Sequence, residues 1–134
     1  MGVLERRVIV IPKELTDLNT YINAERRHRM QGANIKKKET NTCMAYLKQA
    51  VNKGFEIGRD KYPLHITFKW YAKDRRKDLD NIAYAKKYIM DAMQKVELIE
   101  NDGYKQVQRY TDIYLVDKEN PRVEIEIRSM SDGA

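Results

Sequence analysis

The segment Lys77-Asp78-Leu79-Asp80-Asn81 places two carboxylates two residues apart, just ahead of a stretch with helical spacing. In an extended chain, side chains at that spacing point to the same side. Carboxylates that face one point repel each other and recruit a cation, and all-oxygen ligands suit Mg²⁺ or Mn²⁺. A divalent metal bound there polarises a phosphoryl group and activates water. Asp78 and Asp80 are therefore candidate metal ligands for phosphodiester hydrolysis.

A structural interpretation of the same acids stays open, because acids at the start of a helix cap it and interact with its dipole. A third acid, Asp102, lies in the turn Glu100-Asn101-Asp102-Gly103, where an aspartate needs no function. Lys86 and Lys87 follow on the same predicted helix, where an ammonium group either reaches a phosphate or is simply solvated. Taken one at a time, these residues do not distinguish catalysis from structure.

The whole chain has a net charge of +6, and its basic residues are concentrated in the N-terminal part. Residues 1–53 contain 11 Lys and Arg against 5 Asp and Glu, whereas residues 54–134 contain 15 of each. This asymmetry predicts a polyanionic partner, and a mildly basic surface without a partner is the alternative. The candidate phosphate contacts are Arg26, Arg27, Arg29, Lys36, Lys37, Lys38, Arg75, Arg76 and Lys77.

The length and cysteine content limit the class of protein. A chain of 134 residues predicts one domain, because two separate cores would each be too small to be stable. There is no apolar run that could cross a bilayer and no signal-peptide pattern, so we expect no membrane partner. The single cysteine, Cys43, excludes an internal disulfide and a Cys-based zinc site, which predicts a reducing, cytoplasmic compartment.

Hydrophobic periodicity predicts the elements that must position the acids. We expect strands at Val3 to Ile11, Pro63 to Tyr71, Gln106 to Val116 and Val123 to Arg128. We expect helices at Thr40 to Val51, ended by Gly54, and from Asp80 or Asn81 to about Val96. The apolar face of the second strand would be Leu64, Ile66, Phe68 and Trp70, and the core face of the second helix would be Ile82, Ala85, Ile89, Ala92, Met93 and Val96. The last two strands flank a loop at 117–121, which predicts a C-terminal β-hairpin. The expected fold class is α+β, a mixed β-sheet with helices packed on one face.

The stretch from Glu14 to Glu39 differs from these elements, because it has few apolar residues and contains the basic runs at 26–29 and 36–38. Part of it has helical spacing around Leu18, Ile22 and Glu25. Gly32 interrupts its polar middle, which predicts a basic mobile loop over about 24–39 that is poorly ordered without DNA.

The order of these motifs resembles the RusA family of Holliday junction resolvases, most closely its phage and prophage branch from Gram-positive bacteria. The resemblance is strongest over Asp74 to Ile82, over Lys86-Lys87-Tyr88-Ile89-Met90-Asp91-Ala92-Met93 and over Glu100 to Lys105. The segments Val116 to Ile125 and Leu15 to Ile22 also fit, so the similarity covers nearly the whole chain.

This resemblance implies a RusA-like α+β fold and a homodimer that binds four-way DNA junctions and cuts them with Mg²⁺ or Mn²⁺, in recombination and repair. The family's paired acids fall on Asp78 and Asp80, and its third acid falls on Asp102. The basic residue before the first acid falls on Lys77. The family's helix lysine falls on Lys87 when the alignment runs backwards from Met90-Asp91-Ala92-Met93, and Lys86 is the alternative.

The distance from Asp80 to Asp102 leaves open which subunit Asp102 serves. A helix from Asp80 to Val96 spans about 24 Å, and the six residues that follow cover at most about 20 Å. Asp102 returns to its own acids if the helix ends early or bends, or if the loop doubles straight back. Otherwise it meets the acids of a second subunit.

Two other function classes also account for the basic residues and the acids. A non-catalytic nucleic-acid-binding phage protein needs the basic residues but not the three acids, and a structural phage protein uses the acids only as caps. No Gly-rich phosphate loop, nucleotide fingerprint or Ser/Cys nucleophile pattern indicates another enzyme class.

Overall fold

The computed structural model describes residues 7–130, in which strands and helices are interleaved. The strands are β1 (Arg7–Ile11), β2 (Leu64–Ala72), β3 (Val107–Val116) and β4 (Arg122–Ser129), and the helices are α1 (Leu18–Arg27), α2 (Arg29–Asn52), α3 (Leu79–Ala83) and α4 (Lys86–Lys95). A 3-10 turn covers Arg59–Lys61. Val3 to Arg6, the start of the first predicted strand, lie outside the described residues.

The four strands form one mixed sheet in the order β1-β4-β2-β3. β4 pairs antiparallel with β1 and with β2, whereas β2 and β3 are parallel. The predicted α+β class with a mixed sheet is therefore confirmed, and both C-terminal strands are present.

The two C-terminal strands are not hydrogen-bonded to each other, so the predicted hairpin is wrong. β2 lies between them, and residues 117–121 cross its end, where the Asp117 amide donates to the carbonyl of Ala72 at 2.8 Å. The burial of the two strands explains this arrangement. Val123 and Ile125 on the inward side of β4 are buried in the middle of the sheet, whereas Tyr110 on the inward side of β3 is 41% exposed, as at an edge.

Inward-facing residues from all four strands form one core with α2 and α4. The inward residues of β2 alternate strictly with its outward residues, as the period-two pattern predicted. The core includes Ile9, Ile11, Leu64, Ile66, Phe68, Trp70, Val123, Ile125 and Ile127 from the sheet, with Cys43, Leu47, Tyr88, Ile89 and Met93 from the helices. The prediction of helices on one face is therefore confirmed.

The predicted loop over 24–39 is wrong, because this segment is helical. α1 ends at Arg27, α2 begins at Arg29, and His28 between them is extended and caps α2 through Nδ1, which accepts from the Met30 amide at 3.1 Å. Gly32 lies where the two helices approach closely: a Cβ there would be 3.0 Å from the Cβ of Glu25. The segment carries few apolar residues because most of its surface is solvated.

The helix predicted from Asp80 or Asn81 to about Val96 consists of two helices, α3 and α4, that meet at Tyr84 and Ala85. Its N-cap is Asp78 rather than Asp80 or Asn81. The predicted core face is confirmed, since Ala85, Ile89, Ala92 and Met93 are buried while Ile82 and Val96 pack against the core. No helix among residues 7–130 combines the length and apolar character needed to cross a membrane.

Candidate active site

The segment from Lys77 to Asn81 is fixed against the start of α1. The buried Asn81 side chain accepts from the Asn19 amide at 2.8 Å and donates to Asp17 at 3.3 Å. Lys77 Nζ lies 3.3 Å from the same Asp17 carboxylate, which also caps α1 by accepting from the Thr20 amide at 2.8 Å. Lys77 and Asn81 therefore share one buried carboxylate with the start of α1, and these contacts hold the acidic segment in place.

A second buried carboxylate, Glu39 of α2, holds the chain just before α1. It accepts from Lys13 Nζ at 2.9 Å and from the amide and hydroxyl of Thr16 at 2.6 and 2.8 Å. Burial alone would raise the pKa values of Asp17 and Glu39, but hydrogen bonds and the neighbouring lysines lower both. Both groups are therefore ionised at neutral pH and bind the segment before α1.

Asp78 and Asp80 differ from these buried acids. Asp78 occupies the N-cap position of α3, yet its side chain makes no capping hydrogen bond, and Asp80 lies in the first turn. Both residues are exposed. Within residues 7–130, neither carboxylate makes a hydrogen bond or an ion pair. Capping thus does not account for these carboxylates, and two exposed carboxylates are a donor set that fits Mg²⁺ completed by water and phosphate.

The two candidate lysines have opposite environments although they are neighbours in sequence. Lys86 is 20% exposed at its side chain, and its Nζ lies 2.8 Å from Oδ2 of Asp112 on β3. Lys87 is 54% exposed and makes only an i,i+4 pair with Asp91 at 3.8 Å. The geometry therefore favours Lys86, the alternative at the sequence level, as the lysine with a defined position.

The acids near β3 form a row along its helix-facing side. Burial is the main cause of the raised pKa of Tyr110, to which the charges of Asp102 and Asp112 add. The pKa of Tyr114 is raised by burial first, and then by the charges of Asp112 and Asp80. The turn that carries Asp102 borders one cavity with Tyr110, and α3, which carries Asp80, borders another with Tyr114, so Asp112 lies between the two along β3.

The three predicted metal ligands are not all brought together. Tyr110 and Tyr114 are four residues apart on a strand, about 13 Å; the turn of Asp102 lies near one end of that span, and α3 with Asp80 lies near the other. Asp102 is exposed in its turn, where its amide donates to Asn101 Oδ1 at 2.8 Å. In the part of the chain that the structure describes, no three His, Cys, Asp or Glu side chains are grouped for metal binding.

The predicted phosphate contacts divide into two surfaces and one internal group. Arg26, Arg27 and Arg29 flank the junction of α1 and α2, and residues 36–38 form one turn of α2; all of these side chains are exposed except that of Lys36, which is half-exposed. Arg75 and Arg76 are exposed in the turn after β2, although Arg76 also approaches Asp74 at 3.6 Å. Lys77 is instead part of the Asp17 cluster.

Sequence reasoning missed Asp112, Asp17 and Glu39. Asp112 has a local signal, because it takes an inward position between Tyr110 and Tyr114 in a strand, where an acid needs a partner. Asp17 has the pattern of a helix N-cap, but its role for Lys77 and Asn81 depends on contacts more than 60 residues away in sequence. Glu39 sits in a run of polar residues, and nothing local distinguishes it.

Comparison with known proteins does not assign the chain to a family: no protein-family model and no curated protein matches it.

Proposed function

We propose that this protein is a Mg²⁺-dependent, structure-selective endodeoxyribonuclease that resolves four-way DNA junctions by metal-assisted phosphodiester hydrolysis. The observation that carries the proposal is the Asp78–Asp80 pair: two exposed carboxylates without capping bonds, on a segment fixed by buried hydrogen bonds. The motif order of the sequence, which resembles RusA resolvases, supports the choice of substrate. The proposed setting is DNA recombination and repair, and the proposed active form is a homodimer.

In this proposal each residue has a role set by its chemistry. Asp78 and Asp80 would hold Mg²⁺, or Mn²⁺, and Asp102 is the candidate third acid, although the described residues do not group it with this pair. The metal, when bound, supplies polarisation of the scissile phosphoryl group. Lys86 carries a positive charge beside this row of acids, where it would neutralise charge that develops on the phosphate. Lys87 is the second choice, because its ammonium group is in solvent.

The basic surfaces would bind the arms of the junction. Arg26, Arg27 and Arg29, with residues 36–38, present their charges on two helices, and Arg75 and Arg76 present theirs close to Asp78. Contacts to phosphate position a protein on DNA without reading its sequence, as recognition of a branched structure requires. Affinity that rests on such contacts falls steeply with salt.

The test is cleavage of a synthetic four-way junction in Mg²⁺, Mn²⁺ or Ca²⁺ by the wild type and by Asp80→Asn. We expect cleavage with Mg²⁺ and Mn²⁺, none with Ca²⁺, and none by Asp80→Asn, which should still bind the junction. Asp74→Asn is the matched control, since Asp74 lies in the neighbouring turn and is not among the proposed metal ligands. Undiminished cleavage by Asp80→Asn would rule out the metal-centre proposal.

A non-catalytic nucleic-acid-binding phage protein is the second candidate, favoured by the basic surface along α1 and α2. It predicts junction binding by the wild type with no cleavage in any metal. A purely structural role for the acids predicts that Asp80→Asn lowers the melting temperature and changes nothing else. The same variant therefore separates all three readings when binding, cleavage and melting are measured together.

A further inference from the structure

Lys86 is confined by more than one neighbour. Its Nζ lies 4.7 Å from the centre of the Tyr110 ring and 5.3 Å from the centre of the Phe68 ring, in addition to its contact with Asp112. Cations over aromatic faces are attracted by the ring electrons. The ammonium group of a flexible side chain is thereby restricted to one place beside β3.

Asp112 is itself fixed by the core. Its Oδ1 accepts from Nε1 of Trp70 at 2.9 Å, while its Oδ2 accepts from Lys86 at 2.8 Å. Trp70 is 3% exposed and stacks on Phe68 with a ring separation of 5.4 Å. Both carboxylate oxygens therefore accept a hydrogen bond. Asp112 is held by a buried residue of the sheet, and it in turn holds Lys86.

We infer that Asp112 is a positioning residue that holds Lys86 at the row of acids, an inference that rests on the proposed function. Lys86 would contact the substrate phosphate, and Asp112 would act only through Lys86. Free lysine side chains lose much rotational freedom when they bind, so a lysine that is already oriented contributes more to the reaction. Lys87, without such a partner, is the internal comparison.

A double-mutant cycle on the full-length protein tests this inference, with single-turnover cleavage of a four-way junction in Mg²⁺ as the rate and junction affinity in Ca²⁺ as the binding control. We expect Asp112→Asn to slow cleavage about 10- to 100-fold, as loss of a supporting partner does elsewhere, and to weaken binding much less. In the Lys86→Met background, Asp112→Asn should have no further effect. Lys95→Ala, at an exposed lysine in the last turn of α4, should leave the rate close to that of the wild type.

A second readout does not depend on cleavage. In ¹⁵N spectra of lysine ammonium groups, recorded without DNA, we expect a slowly exchanging signal for Lys86 and none for Lys87. Lys86→Arg identifies the signal, and Asp112→Asn should abolish it. Trp70→Phe removes the hydrogen bond to Oδ1, together with some buried ring volume, and keeps the contact between Asp112 and Lys86, so it should weaken the signal and slow cleavage less than Asp112→Asn does. It also replaces Asp112→Asn in the cycle if the latter does not fold.

The outcomes separate this inference from the proposed function. If the wild type cleaves junctions but the effects of Asp112→Asn and Lys86→Met are additive, the inference is wrong and the function stands. A Lys86 signal that persists in Asp112→Asn also overturns it. If the wild type cleaves no junction, the function fails first, and a signal lost in Asp112→Asn would then mark the pair as a structural link between α4 and β3 only.

Discussion

Two pairs of carboxylates, one buried and one exposed, have opposite environments in this molecule. Asp17 and Glu39 are buried, and every oxygen contact is satisfied by amides, hydroxyls or lysines from other elements. Asp78 and Asp80 lie on the segment that these contacts fix, and they are exposed without a capping bond. The buried acids build the scaffold, because a buried charge is tolerated only when paired. The exposed acids remain available for a ligand.

Replacement of Asp78 by asparagine should have the largest effect, and this effect should be on cleavage rather than on stability. Loss of a ligand carboxylate removes several kcal/mol of transition-state stabilisation, so we expect junction cleavage to fall about a thousand-fold. The melting temperature should change little, because the side chain makes no capping hydrogen bond. Single-turnover cleavage and thermal unfolding of the same preparation measure both. A clear loss of stability with cleavage intact would show that Asp78 is a helix cap.

Mixed dimers address the third acid, Asp102. We expect dimers of one Asp80→Asn and one Asp102→Asn subunit to stay as inactive as either parent, because the turn of Asp102 and α3 with Asp80 both border β3 of one chain. Co-expression with two different tags, followed by tandem purification and junction cleavage, gives the measurement. Recovery of cleavage to a large fraction of the wild-type rate would instead place Asp102 in the site of the partner subunit.

Replacement of Glu39 by glutamine should show the opposite behaviour to Asp78→Asn. Lys13 and Thr16 lose a buried, charged acceptor, so the free energy of unfolding should fall by about 2 to 3 kcal/mol. Urea unfolding measures this change. Glu56→Gln, at an exposed glutamate, is the matched control and should change stability by less than about 0.5 kcal/mol. Equal effects of the two substitutions would contradict the scaffold role of Glu39.

The lowered pKa values of Asp17 and Glu39 predict how stability depends on pH. Their ordinary values are 3.8 and 4.5, and both are lower in the folded protein, so the unfolded chain binds protons first as the pH falls. Their contribution is complete above about pH 5 and is lost as the pH falls through the folded-state values. Urea unfolding between pH 7 and pH 3 should show this decline, and a smaller decline in Glu39→Gln. A decline of equal size in the variant would contradict the prediction.

The smallest expected effect concerns the basic surface of α2. Lys37→Ala should weaken junction binding only a few-fold and reduce the slope of log affinity against log salt by about one, the loss of a single phosphate contact. Lys48→Ala, also exposed but further along the same helix, is the matched control and should leave the slope unchanged. Identical slopes for the wild type and Lys37→Ala would remove this turn of α2 from the DNA interface.

Local pattern was sufficient where burial follows a regular period. The alternation in β2 and the apolar face of α4 identified their inward residues correctly, and Gly54, predicted to end the helix that begins near Thr40, has a φ of +99° just after α2. Each of these signals depends on residues within a few positions of one another. For the same reason, the paired spacing of Asp78 and Asp80 was visible in the sequence.

Tertiary structure alone decided the rest. The basic stretch of residues 24–39 is helical although it has no hydrophobic period. α2, which contains most of it, packs on α1 and α4, and Glu39 binds Lys13. β4 lies in the interior of the sheet because its inward side chains are apolar and buried. β3 lies at an edge, where its side chains are partly exposed. Lys86 differs from Lys87 only through its direction on α4, which brings it to Asp112, 26 residues away. Such long-range pairings depend on how elements pack, which no local period records.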